Sequence, residues 1–99
     1  MSYYSFSDKA IRDLDAICSY IAENDPRAAS KLFDKIRQKC KSVANFPNMG
    51  KSYEQFAPGL RGFIVNNYII FYYPQEEGIN VVKIASGYQD LQSLFSDRE

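Results

Sequence analysis

Residues 58–74 read PGLRGFIVNNYIIFYYP, and the architecture follows from where this stretch divides. GFIV at 62–65 and YIIFYY at 68–73 are rich in the β-branched and aromatic residues that suit a pleated, half-buried surface. Between them stand Asn66 and Asn67, and asparagine tolerates the positive φ of a tight two-residue turn. The stretch therefore predicts a β-hairpin. Alternation sets Tyr68, Ile70 and Tyr72 on one face and Ile69, Phe71 and Tyr73 on the other. One cation, Arg61, stands at the entry. A guanidinium there is suited to clamp a phosphate, a carboxylate or the C-terminal carbonyls of a helix.

Downstream, PQEEG makes a longer turn, and INVVKIAS at 79–86 is apolar on both faces, as a central strand covered by helices should be. The tail YQDLQSLF at 88–95 offers Leu91, Leu94 and Phe95 for a short C-terminal helix. Upstream, Ile11, Leu14, Cys18 and Ile21 recur at helical spacing after Ser7, a good N-cap, with Asp8 in the first turn. That helix should end near Glu23. Asp25 and Pro26 then open a second helix, whose stripe is Ala29, Leu32, Phe33, Ile36, Cys40 and Val43 and which stops at NFPNMG. YYSF at 3–6 suits an opening strand. Strand, two helices as an antiparallel hairpin, three strands and a short helix give an α+β fold with a mainly antiparallel sheet.

The chain of 99 residues is expected to form one domain, residues 1–99. Twelve basic and twelve acidic residues leave a formal net charge of zero, so no global field draws in nucleic acid or a membrane surface. With no histidine, and with Cys18 and Cys40 far apart in helical segments, no metal site is expected, and both cysteines read as buried thiols in a reducing cytosol. No leader-like or membrane-spanning segment is evident, which makes a soluble cytoplasmic protein the expectation.

Charge is nevertheless uneven. Residues 27–41 carry Arg27, Lys31, Lys35, Arg37, Lys39 and Lys41 against a single acid, Asp34, whereas residues 8–25 carry five acids against Lys9 and Arg12. At 100° per residue all six cations point away from the apolar stripe, which favours a solvated face over a grip for an acidic partner or a nucleic-acid backbone. Most of the aromatics read as packing, with Phe33, Phe46, Phe63 and Phe71 as core.

Taken together, YIAENDPRAASKLFDKI, FPNMGKSYEQFAPGLRGFIVNNYIIFYYP and VVKIASGYQDL resemble the ParE branch of the ParE/RelE superfamily of bacterial toxins over nearly the whole chain. The diagnostic features are the YIAxxDP junction, the FPxxG helix stop, the PGLR entry, the YxIFY strand and the closing GxxD. The resemblance implies the toxin half of a type II toxin-antitoxin pair, held by a ParD-like antitoxin whose amphipathic C-terminal segment wraps it. It implies growth arrest through DNA gyrase, without a cofactor and without sequence-specific DNA binding by this chain. RelE-like relatives instead cleave mRNA on the ribosome. That chemistry needs a base, an acid and cations around the phosphorus. Where relatives carry a histidine and a basic residue around the closing glycine, this chain has Ser86 before it and Tyr88 and Gln89 after. A ribonuclease role would fall to Arg61, Lys83, Tyr72 and Tyr88. The gyrase reading assigns target contact to Arg61, Tyr88 and Asp90, and antitoxin contact to Tyr68, Tyr72 and Arg61. A non-toxic, antitoxin-binding member is the third reading.

Overall fold

The computed structural model describes residues 2–87. Their order is β1 (Tyr3–Phe6), α1 (Asp8–Ala22), α2 (Pro26–Asn45), β2 (Lys51–Ser52), β3 (Arg61–Val65), β4 (Tyr68–Gln75) and β5 (Gly78–Ser86). The predicted short helix, with Tyr88 and Asp90, lies outside the described residues. The helix starts are where local chemistry puts them. Ser7 Oγ accepts the Ala10 N–H at 3.1 Å, and an Asp25 carboxylate oxygen accepts that of Ala28 at 3.1 Å, with Pro26 opening α2. Ser7 also donates to the Val82 carbonyl at 3.3 Å, which ties the start of α1 to the sheet.

The five strands lie in the order β1-β5-β4-β3-β2, antiparallel except for β1 beside β5. The α+β architecture is as expected, with one addition: residues 51–52, read as loop, form a two-residue edge strand on Gly62 and Arg61. The β3–β4 turn is the expected tight hairpin, with Val65 opposite Tyr68 and Asn66 at φ 56°. The turn after β4 is tighter than PQEEG implied, because Pro74 and Gln75 pair with Ile79 and Gly78. Proline is tolerated there: β3 begins opposite Tyr72, so Pro74 has a strand on one side only.

Both faces of the sheet are covered. On one, Leu14, Leu32, Ile36, Cys40 and Val43 pack on Phe63, Ile70, Tyr72, Val81 and Ile84. On the other, the loop after β2 brings Tyr53, Phe56, Ala57 and Leu60 over Ile69 and Phe71, with the Tyr53 and Phe71 rings edge to face at 5.1 Å. Phe33 and Phe46 are not core, with 42% and 69% of their surface exposed. Leu32 and Ile36 take the sheet-facing line of α2, Phe33 sits one step round the helix, and Phe46 lies beyond its last turn. Of the two thiols, Cys40 is buried and Cys18 only partly so.

Gly78 shows how tightly β1 is seated: its φ is 151°, and a Cβ there would overlap the Tyr3 carbonyl. Gly78→Ala should therefore unseat β1 and cost roughly 3 kcal/mol or more in urea unfolding. A change under about 1 kcal/mol would show that β1 contributes little.

Candidate functional site

Arg61 and Tyr72 are directly opposite across β3 and β4, and both reach the segment that leaves α2. The Tyr72 hydroxyl donates to the Pro47 carbonyl at 2.6 Å and accepts the Gly50 N–H at 3.0 Å. Arg61 Nη1 donates to the Asn48 carbonyl at 3.0 Å and the Gly50 carbonyl at 2.5 Å. Of the three acceptors that suited Arg61, the structure uses backbone carbonyls just past a helix end, where a cation is favoured. Gly50 is required by proximity, since a Cβ there would overlap the Tyr72 ring and crowd the Gly62 carbonyl. Burial pushes the Tyr72 phenol above its ordinary 10.0, against the smaller opposing pulls of the Gly50 hydrogen bond and the Arg61 charge.

The proposed residues do not all meet. Tyr72 is fully buried on the helix-covered face. This corrects the expectation that Tyr68 and Tyr72 present an open face to a partner, because that face is the one the helices take. Tyr68 is half-buried at its margin and lines a cleft of about 220 Å³ with Lys9, Asp13, Lys83 and Ser86. Arg61 and Tyr72 contribute nothing to that cleft. Asp13 is committed there, accepting Lys9 Nζ at 2.7 Å and the Ile84 N–H at 3.0 Å. It caps β5 beyond the end of β1, a role that the sequence offered no signal for. The cations of α2 are exposed, as its helical winding required.

A second feature went unread in the sequence. Tyr4, Phe6, Ile11, Leu14, Phe33 and Arg37 enclose an apolar hollow of about 320 Å³ between β1 and the two helices. Ile11 and Phe33 stand at its rim, 52% and 42% exposed, and the Arg37 guanidinium lies 5.9 Å from the Phe33 ring centroid. The available signal was that both sit at the margins of their helical stripes rather than at the centre.

Residues 4–91 match the family model described as ParE toxin of type II toxin-antitoxin system, parDE. Toxin ParE3 of Caulobacter vibrioides (strain ATCC 19089 / CIP 103742 / CB 15) is 28% identical over 87 residues, which cover 87% of each chain. The fold is similar to a solved structure of the chromosomal ParDE TA system from P. aeruginosa, with a TM-score of 0.71 at 22% identity over 87% of this chain and 96% of that one.

Tyr72→Phe leaves the Gly50 N–H and the Pro47 carbonyl without their partner, and should cost about 1–3 kcal/mol in urea unfolding. Folded Tyr72 holds its proton more tightly than the unfolded chain does. Its contribution is therefore complete below about pH 10 and is lost as pH rises through the raised value. Cys40, pushed by burial from 9.0 to about 12, acts in the same direction from pH 9 upward. The alkaline loss of stability should be shallower in Tyr72→Phe than in the parent; an identical alkaline slope would contradict the assignment.

Proposed function

The chain belongs to the ParE toxin family of type II toxin-antitoxin systems, and from that premise we propose that residues 1–99 act as one cytoplasmic toxin domain that arrests bacterial growth by binding DNA gyrase. The observation that supports binding over chemistry is the occupation of Arg61 and Tyr72. Both are committed to the backbone at residues 47–50, in a chain without histidine. RNA cleavage through a 2′-hydroxyl requires groups that take a proton from the attacking oxygen and give one to the leaving oxygen near neutrality, and neither an arginine nor a phenol raised above 10.0 does so. Arg61 acts on the target indirectly in this reading, by holding the 48–50 segment in shape. Tyr88 and Asp90 are the proposed direct contacts.

A ParD-like antitoxin neutralises the toxin by laying the apolar face of an amphipathic helix into the hollow between Ile11 and Phe33. Support comes from the shape and chemistry of that site: an apolar floor of Tyr4, Phe6 and Leu14 with a cation, Arg37, at its rim. Tyr68 remains a proposed antitoxin contact at the neighbouring cleft. Tyr72 does not, because it has no exposed surface.

Purified protein titrated against DNA gyrase and relaxed plasmid should suppress supercoiling and accumulate linear DNA. Intact plasmid chemistry together with cleaved transcripts on ribosomes would replace this reading with the ribonuclease one, and no growth arrest at all would leave an antitoxin binder. Phe33→Glu places a carboxylate over the hollow and should weaken antitoxin binding by on the order of 100-fold in calorimetry, with gyrase inhibition unchanged. Unaltered antitoxin affinity would remove the hollow from the account.

A further inference from the structure

On the far side of α2 from that hollow, the sheet ends in an edge that is only partly closed. β2 pairs with Arg61 and Gly62 alone, so β3 runs on through Phe63, Ile64 and Val65 without a described neighbour on that side. The Tyr53 N–H bonds to the Leu60 carbonyl, which fixes the alternation: the peptide groups of Leu60, Gly62 and Ile64 face outward, and those of Arg61, Phe63 and Val65 face β4. Ile64 thus presents an outward N–H and C=O, and its side chain is 64% exposed. Two hollows, of about 400 and 220 Å³, meet at Ile64 and Lys39 and form one trough along this edge. Lys35 and Lys39 of α2 wall it on one side, and Lys51, 5.3 Å from the Tyr53 ring centroid, stands at its far end. Lys35 is held over the turn by the Asn66 side-chain oxygen at 3.3 Å. Among the described residues no carboxylate lines either hollow, and exposed Met49 adds apolar surface.

We propose that this trough receives an extended acidic peptide segment of a partner protein, added as a strand beside β3 with its carboxylates on Lys35, Lys39 and Lys51. The open strand edge selects a peptide main chain, since unpaired N–H and C=O groups are a template for β-addition. The lysines select its charge and disfavour a second copy of this chain, whose own Lys35 and Lys39 would be brought into the same trough. The apolar Ile64 and Met49 favour alternating acidic and β-branched side chains over a nucleic-acid backbone, which would find no aromatic stacking platform here, since Tyr53, the one aromatic at the far end besides Phe63, is buried in the core. The surface is separate from the apolar hollow, so the proposal stands or falls independently of the antitoxin site above.

The probe is an end-capped, fluorescent decapeptide alternating Glu and Val, compared by anisotropy with its Lys/Val counterpart and with a ten-nucleotide oligothymidine. The Glu/Val peptide should bind the full chain, and raising NaCl from about 0.05 to about 0.5 M should weaken it markedly as the charges are screened. Binding should fall at least about tenfold in the Lys35→Glu/Lys39→Glu variant, whose substitutions lie on the exposed face of α2 and leave the core untouched. Ile64→Pro deletes the outward N–H and should weaken binding at any salt concentration. The peptide should also slow hydrogen exchange at the Ile64 amide. Absence of binding, equal binding of the Lys/Val peptide, or tighter binding of oligothymidine through the same lysines would overturn the proposal. So would an Ile64 amide already protected in the free chain, because the edge would then be occupied by the chain itself or by a second copy.

Discussion

The phenol of Tyr72 sits between two backbone groups of one loop, donating a hydrogen bond to the Pro47 carbonyl and accepting one from the Gly50 N–H, while Arg61 holds the carbonyls of Asn48 and Gly50 beside it. These four bonds fasten the exit of α2 to the middle of the sheet. α2 supplies most of the helical core through Leu32, Ile36, Cys40 and Val43, so the position of its last turn sets where the whole helical hairpin lies on β3, β4 and β5. The same loop then delivers β2 to the edge of β3 and carries Tyr53 across to the opposite face, where it closes the second core over Phe71. A buried hydroxyl is tolerated at the centre of this arrangement because it both donates and accepts. Glycine at residue 50 follows from the same contact, since no side chain fits between the loop and the Tyr72 ring.

That clamp also explains why the sequence disclosed the fold more fully than the site. Helix starts are local: Ser7 and Asp25 cap within three residues, and Asn66 makes its turn alone. The antiparallel pairing of β3, β4 and β5 follows from short connections and alternating residues, whereas the parallel seat of β1 beside β5 has no local signal. Which face of β4 the helices would choose was not local. Tyr68, Ile70, Tyr72 and Ile69, Phe71, Tyr73 are nearly equal in bulk and polarity, and the choice depends on where the loop after α2 binds. Arg61 was ambiguous for a related reason. Its acceptors are main-chain carbonyls, and a carbonyl leaves no mark in a sequence. Phe33 went to the surface because the stripe of α2 is wider than the line that the sheet can cover, and Phe46 because it lies beyond the last turn of the helix.

What remains exposed sets the functional limits. The helices present an apolar hollow rimmed by Ile11 and Phe33 on the β1 side, while the other side of α2 carries Lys35 and Lys39 above the open part of β3. Two chemically unlike surfaces thus lie on opposite flanks of one helix. Of the side chains that a ribonuclease role would fall to, Arg61 and Tyr72 are committed to the loop, and Asp13 holds Lys9 and the edge of β5. Uneven charge along a neutral chain is thereby given a place, with the cations of α2 exposed on its solvent side.

The 47–50 loop is locked to Tyr72 rather than merely resting near it, and the Gly50 amide reports on this directly. Native-state hydrogen exchange should find that amide opening only with a free energy close to that of global unfolding, alongside the amides of β4. Exchange at the rate of an exposed loop amide would contradict the account, because the clamp would then not hold the end of α2 to the sheet.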